Sequence, residues 1–133
     1  MPTVAETEAG FYTNIDPVAV VSVDHSSVLE ATIMHCIDKG NPKIVTPNFM
    51  SFSPPVLLRH ANVKSLSIFE RESDYWKIVE QSGLFAIKPG KRRPDRGWED
   101  DQSKVELFPS HTTSKDIAVR VTKLIQMRVS MNK

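Results

Sequence analysis

Side chains able to carry chemistry are few in this chain, and they are scattered. Asp24-His25-Ser26-Ser27 contains all three residue types of a hydrolytic triad, but close neighbours along a backbone do not reach that geometry, and triads are assembled from distant segments. Capping the start of a helix accounts for the same residues. His35 and Cys36 are adjacent, so on a helix they point in different directions, and no second Cys or suitably spaced His completes a metal set. His60 and His111 lie near turns, with no acid or nucleophile at a telling spacing. Asp74, Glu99, Asp100 and Asp101 offer carboxylates for acid-base work or a divalent ion. Nothing in their spacing fixes two of them on one face, so they read as solvated charges. Gly83, Gly90 and Gly97 recur every seven residues, and none opens a helix after a strand as a phosphate cradle requires. The sequence therefore predicts no catalytic residue, no metal, no cofactor and no enzymatic activity.

Binding chemistry is better represented. Between residues 88 and 98, Lys88, Lys91, Arg92, Arg93 and Arg96 surround two prolines and end at Trp98. Phosphate-neutralising charge beside an aromatic fits a nucleic-acid contact. The same loop is answered at once by Glu99-Asp100-Asp101, and Arg and Trp are also the side chains that dominate protein interfaces. Charge is unevenly distributed along the chain. Residues 1–38 hold six acids (Glu6, Glu8, Asp16, Asp24, Glu30 and Asp38) and no Lys or Arg, so residues 39–133 carry 17 bases against 10 acids, a surplus of seven. A partner with a cationic face would be met by Asp16, Asp24, Glu30 and Asp38, and one with an acidic face by Lys91, Arg92, Arg93, Arg96 and Trp98.

Composition bounds what has to position these groups. A chain of 133 residues, 40% apolar and 25% charged, is one domain able to bury a single core. The lone Cys36 excludes an internal disulfide. No apolar run approaches the ~18 residues of a membrane span, and the first residues lack the basic start and apolar stretch of a signal peptide. A cytoplasmic protein without membrane contact is the expectation.

In chain order, residues 1–10 read as a loose tail ahead of a domain at 11–133. Pro17 to Val23 is a β-branched run expected as a central strand covered on both faces. Ser27 with Glu30 makes a capping box for a helix carrying Leu29, Ile33, Cys36 and Ile37 on one stripe. Gly40 and Pro42 end that helix. Lys43 to Thr46 reads as a strand, with a right-handed parallel crossover from the first. A short helix is predicted from Ser53 to Asn62, and a half-exposed strand from Val63 to Phe69. Tyr75–Glu80 and Leu84–Lys88 form a hairpin around Gly83. Residues 88–103 read as irregular, Lys104–Phe108 as a strand with Val105 and Leu107 on one face. A last helix starts at Thr113 with Asp116 and buries Ile117, Val121, Leu124 and Ile125. The predicted class is α+β: a single-layer mixed sheet of about five to six strands flanked by two main helices, with Val20, Leu29, Ile33, Ile78, Val121 and Leu124 buried together.

In layout, YWKIVEQSGLFAI, a basic loop ending in GWEDD, KVELFP and the capped TSKDIAVRVTKLI helix resemble small bacterial proteins, similar in size and build to the immunity proteins of contact-dependent growth-inhibition systems. Those bind and neutralise a cognate toxin domain. The resemblance implies a toxin-binding protein, a monomer by itself, and carries over no individual residue. Many immunity proteins that block nucleases are markedly acidic, a character that only the N-terminal third shares. The second reading is a nucleic-acid-binding accessory protein using loop 88–98.

Overall fold

The computed structural model describes residues 1–46, 61, 65–95 and 97–131. The fold is α+β, but its strands fall into two sheets instead of the expected single layer. The first sheet has the order β2-β1-β3, with β1 at Pro2–Thr7, β2 at Tyr12–Val18 and β3 at Lys43–Ile44. Strands β1 and β2 are antiparallel, and β3 lies parallel to β1.

The stretch expected as a loose tail is thus the middle strand of a sheet. Its signal is muted because the buried side chains are small: Thr3, Ala5 and Thr7 alternate inward along β1. Polar atoms on that face are satisfied locally. The Thr3 hydroxyl donates to the Pro17 carbonyl at 2.8 Å, and the Thr7 hydroxyl donates to Phe11 O at 3.0 Å and accepts from Phe11 N–H at 3.2 Å. Helix α1 (Ser26–Lys39) then leads to β3, whose parallel partner is β1 rather than the 17–23 run. Only Pro17 and Val18 of that run are in a strand; Ala19 still exchanges backbone hydrogen bonds with Met1 at 2.8 Å, the chain leaves the sheet after it, and Val20 is 73% exposed. A β-branched run can serve as a connection when tertiary contacts pull it away from its neighbours.

Helix α1 begins without the expected capping box: His25 precedes it, and no side chain caps its first turn. It ends as expected at Gly40, whose φ of 72° only glycine adopts freely and whose N–H bonds Ile37 O at 3.1 Å. Residues 66–72 form helix α2 (Leu66–Glu72) instead of a strand, because Ser65 accepts a capping bond from the Ile68 N–H at 3.3 Å. The short helix predicted from Ser53, and the start of the strand predicted from Val63, lie outside the described residues.

The second sheet is a meander. β4 (Trp76–Gln81) and β5 (Leu84–Arg92) pair through Gln81↔Leu84 to Trp76↔Pro89, closed by Ser82 and Gly83 with φ of 54° and 78°. Two positive φ values define the type I′ turn that suits the strand twist. The other edge of β5 is shared by β6 (Trp98–Asp100) near its end and β7 (Glu106–Leu107) near its start, with a 3-10 turn at Gln102–Lys104 between them.

Helix α3 (Ser114–Met131) starts on the capping box anticipated from sequence: Thr113 Oγ1 accepts from the Asp116 N–H at 3.1 Å while the Asp116 carboxylate accepts from the Thr113 N–H at 3.0 Å. The core forms where α1, α3 and one face of the meander meet. Leu29, Ile33, Ile87, Ile117, Ala118 and Val121 are buried there, with Trp76, Ile78, Phe85, Phe108 and Leu124 packed around them. Of the six predicted core residues Leu29, Ile33 and Val121 are buried in this cluster, Ile78 and Leu124 are partly buried against it, and Val20 lies outside it.

Truncating Ile117, which is fully buried, to Ala should cost roughly 2–5 kcal/mol in urea unfolding. Val20→Ala should stay within about 0.5 kcal/mol. Equal losses at the two positions would contradict this placement of the core.

Candidate binding surface

Alternation along β5 decides what the meander shows to solvent. Phe85 and Ile87 face the helices, together with Trp76 and Ile78 of β4 and Phe108 beyond β7. The opposite face therefore carries Leu84, Ala86, Lys88, Gly90 and Arg92, flanked in register by Gln81, Val79 and Lys77 on β4, by Leu107 on β7 and by Asp100 and Trp98 on β6. An antiparallel sheet with one face on the core usually presents polar side chains on the other. Here apolar residues run across it, Val79 to Ala86 to Leu107, with Leu84 beside them; Leu84 is 47% exposed and Leu107 80% exposed, while Val79 is half-buried and Ala86 is buried.

Next to this row the charges are arranged in pairs. Lys77 Nζ donates to Asp100 Oδ2 at 3.0 Å and the Tyr75 hydroxyl donates to Asp100 Oδ1 at 3.3 Å. The Lys77 hydrogen bond is the main cause that holds the Asp100 carboxyl below its ordinary value of 3.8, with Lys88 adding to it. Burial, and then the Asp100 charge, raise the Tyr75 phenol above its ordinary value, so it remains a neutral donor. The Tyr75 ring lies across Gly90, where any Cβ would overlap it.

The basic loop is ordered differently from the expectation. β5 runs on through Arg92, β6 returns from Trp98, and the connection is closed by Arg93 N–H to Gly97 O at 2.9 Å, with Gly97 at a φ of 78°. Expectation failed because Gly90 and two prolines masked a second hairpin; Pro89 is tolerated because Trp76, opposite it, forms the ladder position that needs no N–H from residue 89.

The predicted contact residues are largely engaged in this hairpin. Arg93 makes a two-pronged pair with Asp95 at 3.2 and 3.0 Å, Lys91 pairs with Glu99 across the strands at 3.6 Å, and Arg92 donates to Ser73 O at 2.9 Å. Arg96 lies outside the described residues. Trp98 does not tip the loop; it is half-buried, edge-on to Tyr75 at 5.6 Å and to Phe69 at 6.2 Å between ring centres. Residues 88–101 hold five bases and four acids, a net of one positive charge. Asp24 and Glu30 stand apart from this hairpin, before and in the first half of α1, with Asp24 exposed and Glu30 half-buried. Asp24, His25 and Ser26 lie in the turn and start of α1, and the Asp24 N–H donates to Ser22 Oγ at 3.2 Å.

Leu84 and Leu107 were missed from sequence as surface residues. Their types read as core, and only the register shows which way they point. Among the described residues, no three His, Cys, Asp or Glu side chains are grouped so as to hold a metal ion, and no helix is long and apolar enough to cross a membrane. Comparison with family models, curated proteins and solved structures gives no match.

Two outcomes follow from this geometry. Gly90→Ala should destabilise by about 1–3 kcal/mol through overlap with Tyr75, and adding Tyr75→Ala should make Gly90→Ala close to neutral in a double-mutant cycle. A purely additive cycle would refute the contact. Because its folded-state pKa is depressed, Asp100 contributes stability that is present above its unfolded value and lost as pH falls through 3.8 and below. Denaturant titrations in that acid range should show a shallower pH slope in Lys77→Met than in the parent chain.

Proposed function

We propose that this chain is a non-enzymatic binding protein of the immunity type, which covers a cognate toxin domain with the outer face of the meander. The observation that carries this reading is the apolar row on a sheet face turned away from the core. Water contact at Leu84 and Leu107 is unfavourable by ~25 cal/mol per Å2 of apolar surface and is relieved when a partner covers them. Around the row, paired charges supply a polar rim whose side chains are already fixed, which lowers the ordering cost of association.

Protein is the partner class favoured over nucleic acid. Single-strand binders combine a surplus of unpaired cations with aromatic faces open for stacking. In this hairpin Lys91 and Arg93 are bonded to acids, and Trp98 meets Tyr75 and Phe69 edge-on. Placement of the contact also shifts from the arginines of the hairpin to the apolar row beside them.

Calorimetry against a toxin domain encoded beside this chain tests the proposal. Leu84→Asp with Leu107→Asp should weaken binding by at least about tenfold, or about 1.4 kcal/mol, while Asp24→Ala with Glu30→Ala should leave it within about threefold. Affinity insensitive to the leucines but lost with the two acids would move the contact to α1. Tight, salt-dependent binding of arbitrary single-stranded RNA without toxin binding would replace the proposal by the nucleic-acid reading.

A further inference from the structure

Sheet edges are reactive features, and proteins usually blunt them with prolines, bulges, charges or brevity. Among the described residues, three of the four sheet edges are treated that way. β2 carries Pro17 and ends at a register irregularity opposite Pro2, β3 is two residues long, and the β6/β7 edge is split by the 3-10 turn. β4 differs. It is six residues of regular strand, Trp76–Gln81, with no proline, glycine or bulge. Of its two charges, Lys77 is paired with Asp100 of its own sheet, and only Glu80, beside the turn, is left as a charge deterrent.

The ladder fixes which groups the edge offers. Gly90 N–H bonds Tyr75 O at 3.0 Å, so the β5-directed positions are 75, 77, 79 and 81. The N–H and C=O groups of Trp76, Ile78 and Glu80 consequently point away from β5, and among the described residues nothing accepts or donates to them. That set is symmetric about Ile78. An antiparallel copy of β4 placed on it would match Ile78 with Ile78 and Trp76 with Glu80 in hydrogen-bonded pairs, and Lys77 with Val79 in the closer non-bonded pairs. On the core-facing side, the Ile78 side chains of the two copies would meet and continue the Ile87–Ile78 row.

We propose that β4 docks on β4 of a second copy of this chain, joining two meanders into one continuous sheet across a twofold axis. This replaces the lone monomer expected from sequence, and it leaves the apolar outer face free, so it stands or falls independently of toxin binding.

Sedimentation equilibrium of the purified chain and three variants provides the test. The register places residue 79 of one copy opposite Lys77 of the other, so Val79→Glu should dimerise at least about tenfold more tightly than Val79→Lys. Glu80→Pro removes an N–H aimed at the partner strand without touching the β4–β5 ladder and should abolish self-association. If that variant fails to fold by circular dichroism, the Val79 pair decides alone. A chain that stays monomeric at all attainable concentrations overturns the proposal. So does a dimer that is indifferent to the charge at residue 79 or, with the fold intact, to Glu80→Pro, and so does an edge that takes up an unrelated extended peptide while the chain itself stays monomeric.

Discussion

Burial of Ile87 among Leu29, Ile33, Ile117 and Val121 is the contact on which the rest of the molecule depends. It ties the meander to the helix pair, and because side chains alternate along a strand, anchoring one residue of β5 orients all of them. Phe85 is thereby turned inward, and Leu84, Lys88, Gly90 and Arg92 outward. Hydrogen bonding to β4, β6 and β7 extends that orientation sideways through the sheet. Two ion pairs reinforce the junction from its margins, Arg120 to Glu106 at 2.7 Å and Arg128 to Asp74 at 3.1 Å. Both are partly exposed, so they add little to stability and mainly fix the position of α3 over the sheet.

Those parts of the fold with strong local signals were legible in the sequence. The Thr113–Asp116 box with its apolar stripe, the Gly40 stop and the Ser82-Gly83 turn each combine a backbone requirement with a residue that meets it, and all three stand where they were expected. What was lost is whatever depends on pairing between distant segments. β1 is built on Thr and Ala, too small to show a periodic signal, and its identity as a middle strand rests on Glu6↔Lys43 pairing far along the chain. Residues 20–23 look more like a strand than β1 does, yet among the described residues no strand pairs with them. The segment 66–69 alternates in hydrophobicity like a strand, but a single capping serine at residue 65 turns it into a helix.

The candidate surface was legible only in part, and for a related reason. Charge and aromatic content drew attention to residues 88–98, of which Lys88, Arg92 and Trp98 lie on that outer face. Pairing between Arg93 and Asp95, Lys91 and Glu99, and Lys77 and Asp100 converts those charges from contact groups into supports. Conversely Leu107 looks like core in any one-dimensional reading. Opposite Ala86 in the ladder, it faces water.

Division of labour along β5 has an evolutionary consequence. Phe85 and Ile87 answer to the helices whereas Leu84 and Lys88 point outward, so under the proposed contact a substitution at Leu84 or Lys88 would change recognition while leaving Ile87 and its neighbours undisturbed. Specificity and foldability would then be under separate selection within a single strand. Under that proposal a lineage carrying this chain could track a diversifying partner through Leu84 and Lys88, but not at buried Ala86 or at Gly90, where the overlying Tyr75 ring vetoes every side chain.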